Sequence, residues 1–216
     1  MTIFVTSPTE LSTAATDLIL ALMAFGCLAL ISFSFKQQSR TRLWQGLFAS
    51  LGISSLLGAI AHGIQMDLAL NNLLWHPLYF FLGLTLTLLA AIAIHELSGE
   101  TVARRFLPWL LPAPFIVVAI IWAFGGSFIY FILFEALIMV FVLSVYSYLR
   151  LKKAVPGAGL ILAGVLFSII AAGLQASGPF TFRVFFLFDH NGLFHLVQMV
   201  GVFCFFLGAK KGLGSS

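Results

Sequence analysis

Apolar stretches of about 20 residues follow one another along almost the whole chain, with hardly a charge inside them. Hydrocarbon offers no water to a free amide, so a segment crossing a ~30 Å apolar layer must close its own hydrogen bonds. A helix of about 20 residues does this. The pattern predicts seven such helices, over 17–35, 43–65, 73–95, 106–124, 127–149, 155–177 and 188–208. The expected class is all-α, an integral membrane bundle of seven transmembrane helices forming a single domain over 1–211. Composition agrees: 61% of residues are hydrophobic and 8% charged, against roughly 25% charged in a soluble domain. A soluble globule is excluded. Pro108, Pro112 and Pro114 in the fourth span predict a kink rather than a break, because neighbouring helices re-satisfy the carbonyls that proline frees.

No Lys or Arg precedes Lys36, so the N-terminal stretch lacks the basic region of a cleavable signal peptide. The first span is expected to remain in the mature protein. The closing Gly-Leu-Gly-Ser-Ser, 212–216, reads as a linker or expression scar. Cys27 and Cys204 fall in apolar spans at no spacing that suggests a metal or redox pair.

Basic residues report orientation, because cytoplasmic loops carry the excess of Lys and Arg. Lys36, Arg40 and Arg42 follow the first span, and Arg104 and Arg105 the third. Arg150, Lys152 and Lys153 follow the fifth, and Lys210 and Lys211 the seventh. Of the 11 basic residues only Arg183 lies on the other side. The distribution predicts an N-terminus outside and a C-terminus in the cytoplasm of a multi-pass protein, in the bacterial inner membrane or another cell membrane. The net charge of +4 sits in short clusters at helix ends, so no nucleic-acid partner is expected and membrane lipids are.

Depth along each span follows from 1.5 Å of rise per residue. Asp17, His62, Glu135, Gln175, His190, His195 and Gln198 then gather in the outer half. Ionisable groups inside a membrane are costly and by default face the bundle interior at a functional site. On the second span Ser55, Gly58, His62 and Gln65 recur at steps of three and four, and so do Asn191, His195 and Gln198 on the seventh. Each set shares one helix face. The Asp-His-Asn-Gly run at 189–192 reads as a helix start. With that start at Asn191, His190 lies on the incoming loop and folds over the site. The phenylalanines of the fifth and seventh spans read as lipid-facing or packing groups.

His62, His190 and His195, with Asp17 or Glu135 close by, have the composition of a zinc site with water in the fourth position. Zinc lowers the pKa of its water to about 7, and Glu135 or Asp17 then serves as general base in carbonyl hydrolysis. Ser55, Gln65, Gln175, Asn191 and Gln198 are the supporting or substrate-binding groups.

His62 followed by Gly63 on the second span, and His-Asn-Gly-Leu-Phe-His at 190–195 on the seventh, resemble the CREST superfamily. That group includes alkaline ceramidases and progestin and adiponectin receptors. The resemblance implies seven helices and zinc held by one second-span and two seventh-span histidines, with amide hydrolysis known or suspected. The chain departs from the pattern at Gly58, where members carry serine, and at Asn191, where the first ligand of His-x-x-x-His is expected. The expected function is a membrane-embedded, metal-dependent hydrolase of a lipid-like amide or ester. The alternative is a non-enzymatic small-ligand binding protein or receptor.

Overall fold

The computed structural model describes residues 3–215. Its helices are α1 (Pro8–Ser34), α2 (Ser39–Gly63), α3 (Leu68–Ser98), α4 (Glu100–Leu110), α5 (Ala113–Ala123), α6 (Ile129–Leu151), α7 (Ala158–Ala176) and α8 (His190–Leu213). With α4 and α5 counted together, the described residues contain seven helical stretches long and apolar enough to cross a membrane. A small antiparallel hairpin, β1 (Thr181–Arg183) and β2 (Leu187–Asp189), joins α7 to α8 with Phe182 opposite Phe188.

Several helices begin before the spans read from hydropathy, α4 among them at Glu100, and capping explains two of these early starts. Ser7 accepts from Glu10 N with Pro8 in the first turn, so α1 starts nine residues before position 17. Asp67 accepts from Leu70 N and starts α3 five residues before 73. Hydropathy does not register these polar first turns. At the proline-rich stretch the ladder is interrupted between α4 and α5, yet Leu111 and Pro112 keep right-handed helical torsions (φ −59° and −68°). The chain is divided there without being turned back.

Two corrections concern the C-terminal helix. Asp189 accepts from Gly192 N at 2.8 Å and is the N-cap, so His190 is the first helical residue and not part of a loop starting the helix at Asn191. Gly212 and Leu213, read as the start of a linker over 212–216, belong to α8 and are buried; Gly212 O accepts from Arg40 Nη1 at 3.0 Å. A carbonyl in the last helical turn has no partner within the helix, and Arg40 supplies one.

Antiparallel neighbours connected by short loops sort the helix termini into two ends. At one end Arg40, at the start of α2, bonds Gly212 O near the end of α8 and lies 2.5 Å from Glu96 Oε1 near the end of α3. At the other end lie the starts of α1, α3, α6 and α8 and the ends of α2 and α7. There the N-terminal segment runs beside the end of α2, with Val5 N bonded to Gly63 O at 3.1 Å and Phe4 bridged to Ile64. The hairpin is tied to the same end by Ser12 Oγ donating to Leu187 O at 2.7 Å. Trp44, Phe48, Ile92, Val142, Tyr146, Val165 and Val202 form the buried core, while Leu22, Phe33, Leu133, Leu137, Val140 and Phe203 face outward.

Candidate functional site

α1 supplies two acids, Glu10 and Asp17, separated by two turns and therefore on one face. Each meets one histidine. His62 Nδ1, near the end of α2, lies 2.7 Å from Glu10 Oε2, and the His62 ring stands edge-on to Trp75 at 5.3 Å. His195 Nε2, in the second turn of α8, lies 3.2 Å from Asp17 Oδ1. The other nitrogen of His195, Nδ1, is 3.0 Å from Thr16 Oγ1, which also reaches the carbonyls of Ser12 and Thr13 at 3.1 and 2.9 Å. A hydroxyl has one proton, so when Thr16 donates to a backbone carbonyl it accepts from Nδ1–H. Thr16 and Asp17 thus hold the ring from both sides.

Space for this arrangement comes from a glycine. A Cβ on Gly58 would fall 2.6 Å from Asp17 Oδ2, so the bare backbone of α2 admits the Asp17 carboxylate between α1 and α2. Asp189 fixes the start of α8 from the other side, accepting from both Gly192 N and Thr13 Oγ1 at 2.8 and 2.9 Å.

These groups border a cavity of about 140 Å³ that penetrates the bundle. Its polar wall holds Asp17, Ser54, Ser55, His62, Glu135, Gln175, Asn191, His195 and Gln198. Leu20, Leu47, Leu51, Leu86, Leu89, Met139, Val202 and Phe205 line the remainder. The lining on α3 runs from Trp75 to Leu89, about 20 Å along the helix axis. One end is therefore polar and the depth mainly apolar, the Thr85 hydroxyl there being bonded to Phe81 O at 2.9 Å. No Lys or Arg lines it among the described residues.

Glu135 differs from the other lining acid. It is 9% exposed, borders the cavity, and makes no hydrogen bond or ion pair among the described residues. On the same face of α6, Phe131 lies one turn before it, and Phe128 just ahead of the helix also lines the cavity. Tyr79 from α3 packs on both rings at 5.7 Å and 6.0 Å, and Trp75 packs on Tyr79 at 5.7 Å.

The structure brings Asp17, Glu135, His62, His195, Ser55, Gln175, Asn191 and Gln198 to one cavity. Two sequence candidates lie elsewhere. Gln65 falls beyond the end of α2 and is exposed, with its backbone N–H bonded to Ile3 O. His190 is absent from the cavity wall and packs near Phe180 with ring centroids 6.3 Å apart; its Nδ1 is buried without a partner. Five positions separate it from His195 on a continuous helix, which turns the two rings about 140° apart. Among the described residues no three His, Cys, Asp or Glu side chains converge as metal ligands do. A zinc ion on His195 would have to displace Asp17 or Thr16 from a ring nitrogen.

Sequence reasoning passed over Glu10, Thr16, Trp75, Tyr79, Phe128 and Phe131. Glu10 lies outside the hydropathy span, and Thr16 acts only through His195. The two phenylalanines were expected to serve lipid or packing, as exposed Phe203 does, yet they border the cavity. Phe128, Phe131, Glu135 and Met139 follow one another at steps of three and four, which was the readable signal.

The model of a family of unknown function (DUF6962) matches residues 12–213, nearly the whole chain, and the chain belongs to that family. No curated protein and no solved structure matches it.

Proposed function

We propose that this member of a family of unknown function is a seven-helix membrane protein that binds a single-chain amphiphile in its central cavity. The observation that carries this reading is the cavity itself, polar at one end and lined mainly by leucine, methionine and phenylalanine in its depth. A head group meets Glu135, Asn191 and Gln198, and an apolar chain lies along Leu51, Leu86 and Val202. Membrane insertion is supported by seven long apolar helices and by outward-facing Leu22, Phe33, Leu133, Leu137 and Phe203. The basic residues orient the chain with its N-terminus outside, which sets the polar end of the cavity in the outer half of the bilayer.

Trp75 on the cavity wall is a built-in reporter. In phosphatidylcholine nanodiscs, a twelve-carbon alcohol brominated on its chain is expected to quench Trp75 fluorescence saturably. The saturable component disappears in Trp75→Phe and shrinks in Leu82→Phe, which fills the cavity. Quenching that rises only linearly, equally in all three proteins, reports partition into lipid and removes the binding reading.

Metal-dependent hydrolysis of a lipid-like amide or ester is the second reading. It is supported by the presence of His62, His195, Asp17 and Glu135 on one cavity wall. It ranks second because both nitrogens of His195 are engaged by Thr16 and Asp17. About one zinc per chain by elemental analysis, together with fatty-acid release from a dodecanoyl amide or ester, would reverse the order.

A further inference from the structure

We infer that the ligand of this cavity carries a cationic head group, a protonated amine or a quaternary ammonium, held by Glu135 against the rings of Tyr79, Phe128 and Phe131. The inference rests on the amphiphile-binding reading and adds the chemistry of the head. Of the four carboxyl and imidazole groups on the cavity wall, three are matched within the protein. Asp17 meets His195 at 3.2 Å and Glu10 meets His62 at 2.7 Å. Glu135 is the one of these four with no partner among the described residues, although it is more than nine-tenths buried and borders the cavity. No Lys or Arg lines the wall that would hold an anionic head instead.

Charge alone does not separate a cation from a neutral ligand hydrogen-bonded to a protonated acid; aromatic rings beside the acid favour the cation. Ring faces carry negative electrostatic potential and attract cations, more strongly where water is excluded. Phe128 and Phe131 are stacked at 5.4 Å, Tyr79 packs on both, and Phe131 is 1% exposed. Phe131 and Glu135 follow one another on a single face of α6, so the ring wall and the carboxylate border the same part of the cavity. A rigid aromatic wall beside an unpartnered carboxylate matches a positively charged head in both charge and polarisability.

Four compounds with one twelve-carbon chain and different heads test this: dodecyltrimethylammonium, dodecylamine, dodecanol and dodecanoate. Each competes with the brominated alcohol for Trp75 quenching in phosphatidylcholine nanodiscs. The two cations are expected to displace it at about tenfold lower concentration than dodecanol, with dodecanoate weakest. Glu135→Gln collapses the cation-to-alcohol ratio to about one, and Glu135→Asp, which keeps the charge, retains a preference. Tyr79→Leu lowers the ratio severalfold without touching the carboxylate, and so serves where Glu135→Gln does not fold. Equal displacement by dodecanol and the cations in the wild type, or an undiminished preference in Glu135→Gln, overturns the cationic head while leaving amphiphile binding standing. Absence of saturable quenching in the wild type removes both.

Discussion

Asp17 and Gly58 show how much of the site depends on one missing methyl group. The carboxylate that holds His195 occupies the space a side chain at position 58 would need. Gly58→Ala should therefore cost about 1–3 kcal/mol as an overpacked core position, although alanine is the better helix former. In an Asp17→Ala background the same change should cost much less, because the clashing oxygen is gone. A double-mutant cycle from denaturant titration in micelles is expected to return a coupling of roughly 0.5–3 kcal/mol. An identical cost in both backgrounds would mean that the glycine serves something other than Asp17.

α8 is the element on which the site depends most. Its first turns carry Asn191, His195 and Gln198 into the cavity, and its far end is held by Arg40 through Gly212 O. Asp189 anchors the near end, capping Gly192 N and accepting from Thr13 of α1. Replacing Asp189 with alanine removes both bonds. The cap alone is worth about 1 kcal/mol, and the loss should be local. Amide hydrogen exchange is expected to quicken over 190–193 while Gly201–Leu213 stays protected, since Arg40 and the packing on α7 are untouched. Uniform acceleration along α8 would show that the helix unfolds as one unit and that the cap has no local role.

Two chemically different ends appear once the whole molecule is assembled. One gathers His62, His195, Asp17, Glu10 and Glu135; the other gathers Arg40 with Glu96 and carries Arg150, Lys210 and Lys211. The second end is the one the basic residues assign to the cytoplasm. A reporter enzyme or fluorophore fused after Lys211 is accordingly expected in the cytoplasm, and one fused ahead of Pro8 outside. The reverse result would move the polar mouth of the cavity to the inner half of the bilayer and change which leaflet supplies the ligand.

The number and approximate extent of the long helices were determined by the sequence alone, because a helix in hydrocarbon must be long, apolar and internally bonded, and that demand is met residue by residue along the chain. Helical periodicity likewise sufficed to put Ser55, Gly58 and His62 on one face and Asn191, His195 and Gln198 on another. Capping set the true starts of α1 and α3, and a polar cap is invisible to a hydropathy window. Which acid meets which histidine was decided by tertiary structure, since Glu10 with His62 and Asp17 with His195 are contacts across 52 and 178 positions. Periodicity fixes a face but not what the face meets. The same holds for Phe131, which by sequence alone reads as a residue for lipid or for packing. Only the approach of α3 to α6, which sets Tyr79 against its ring, makes it a wall of the cavity beside Glu135.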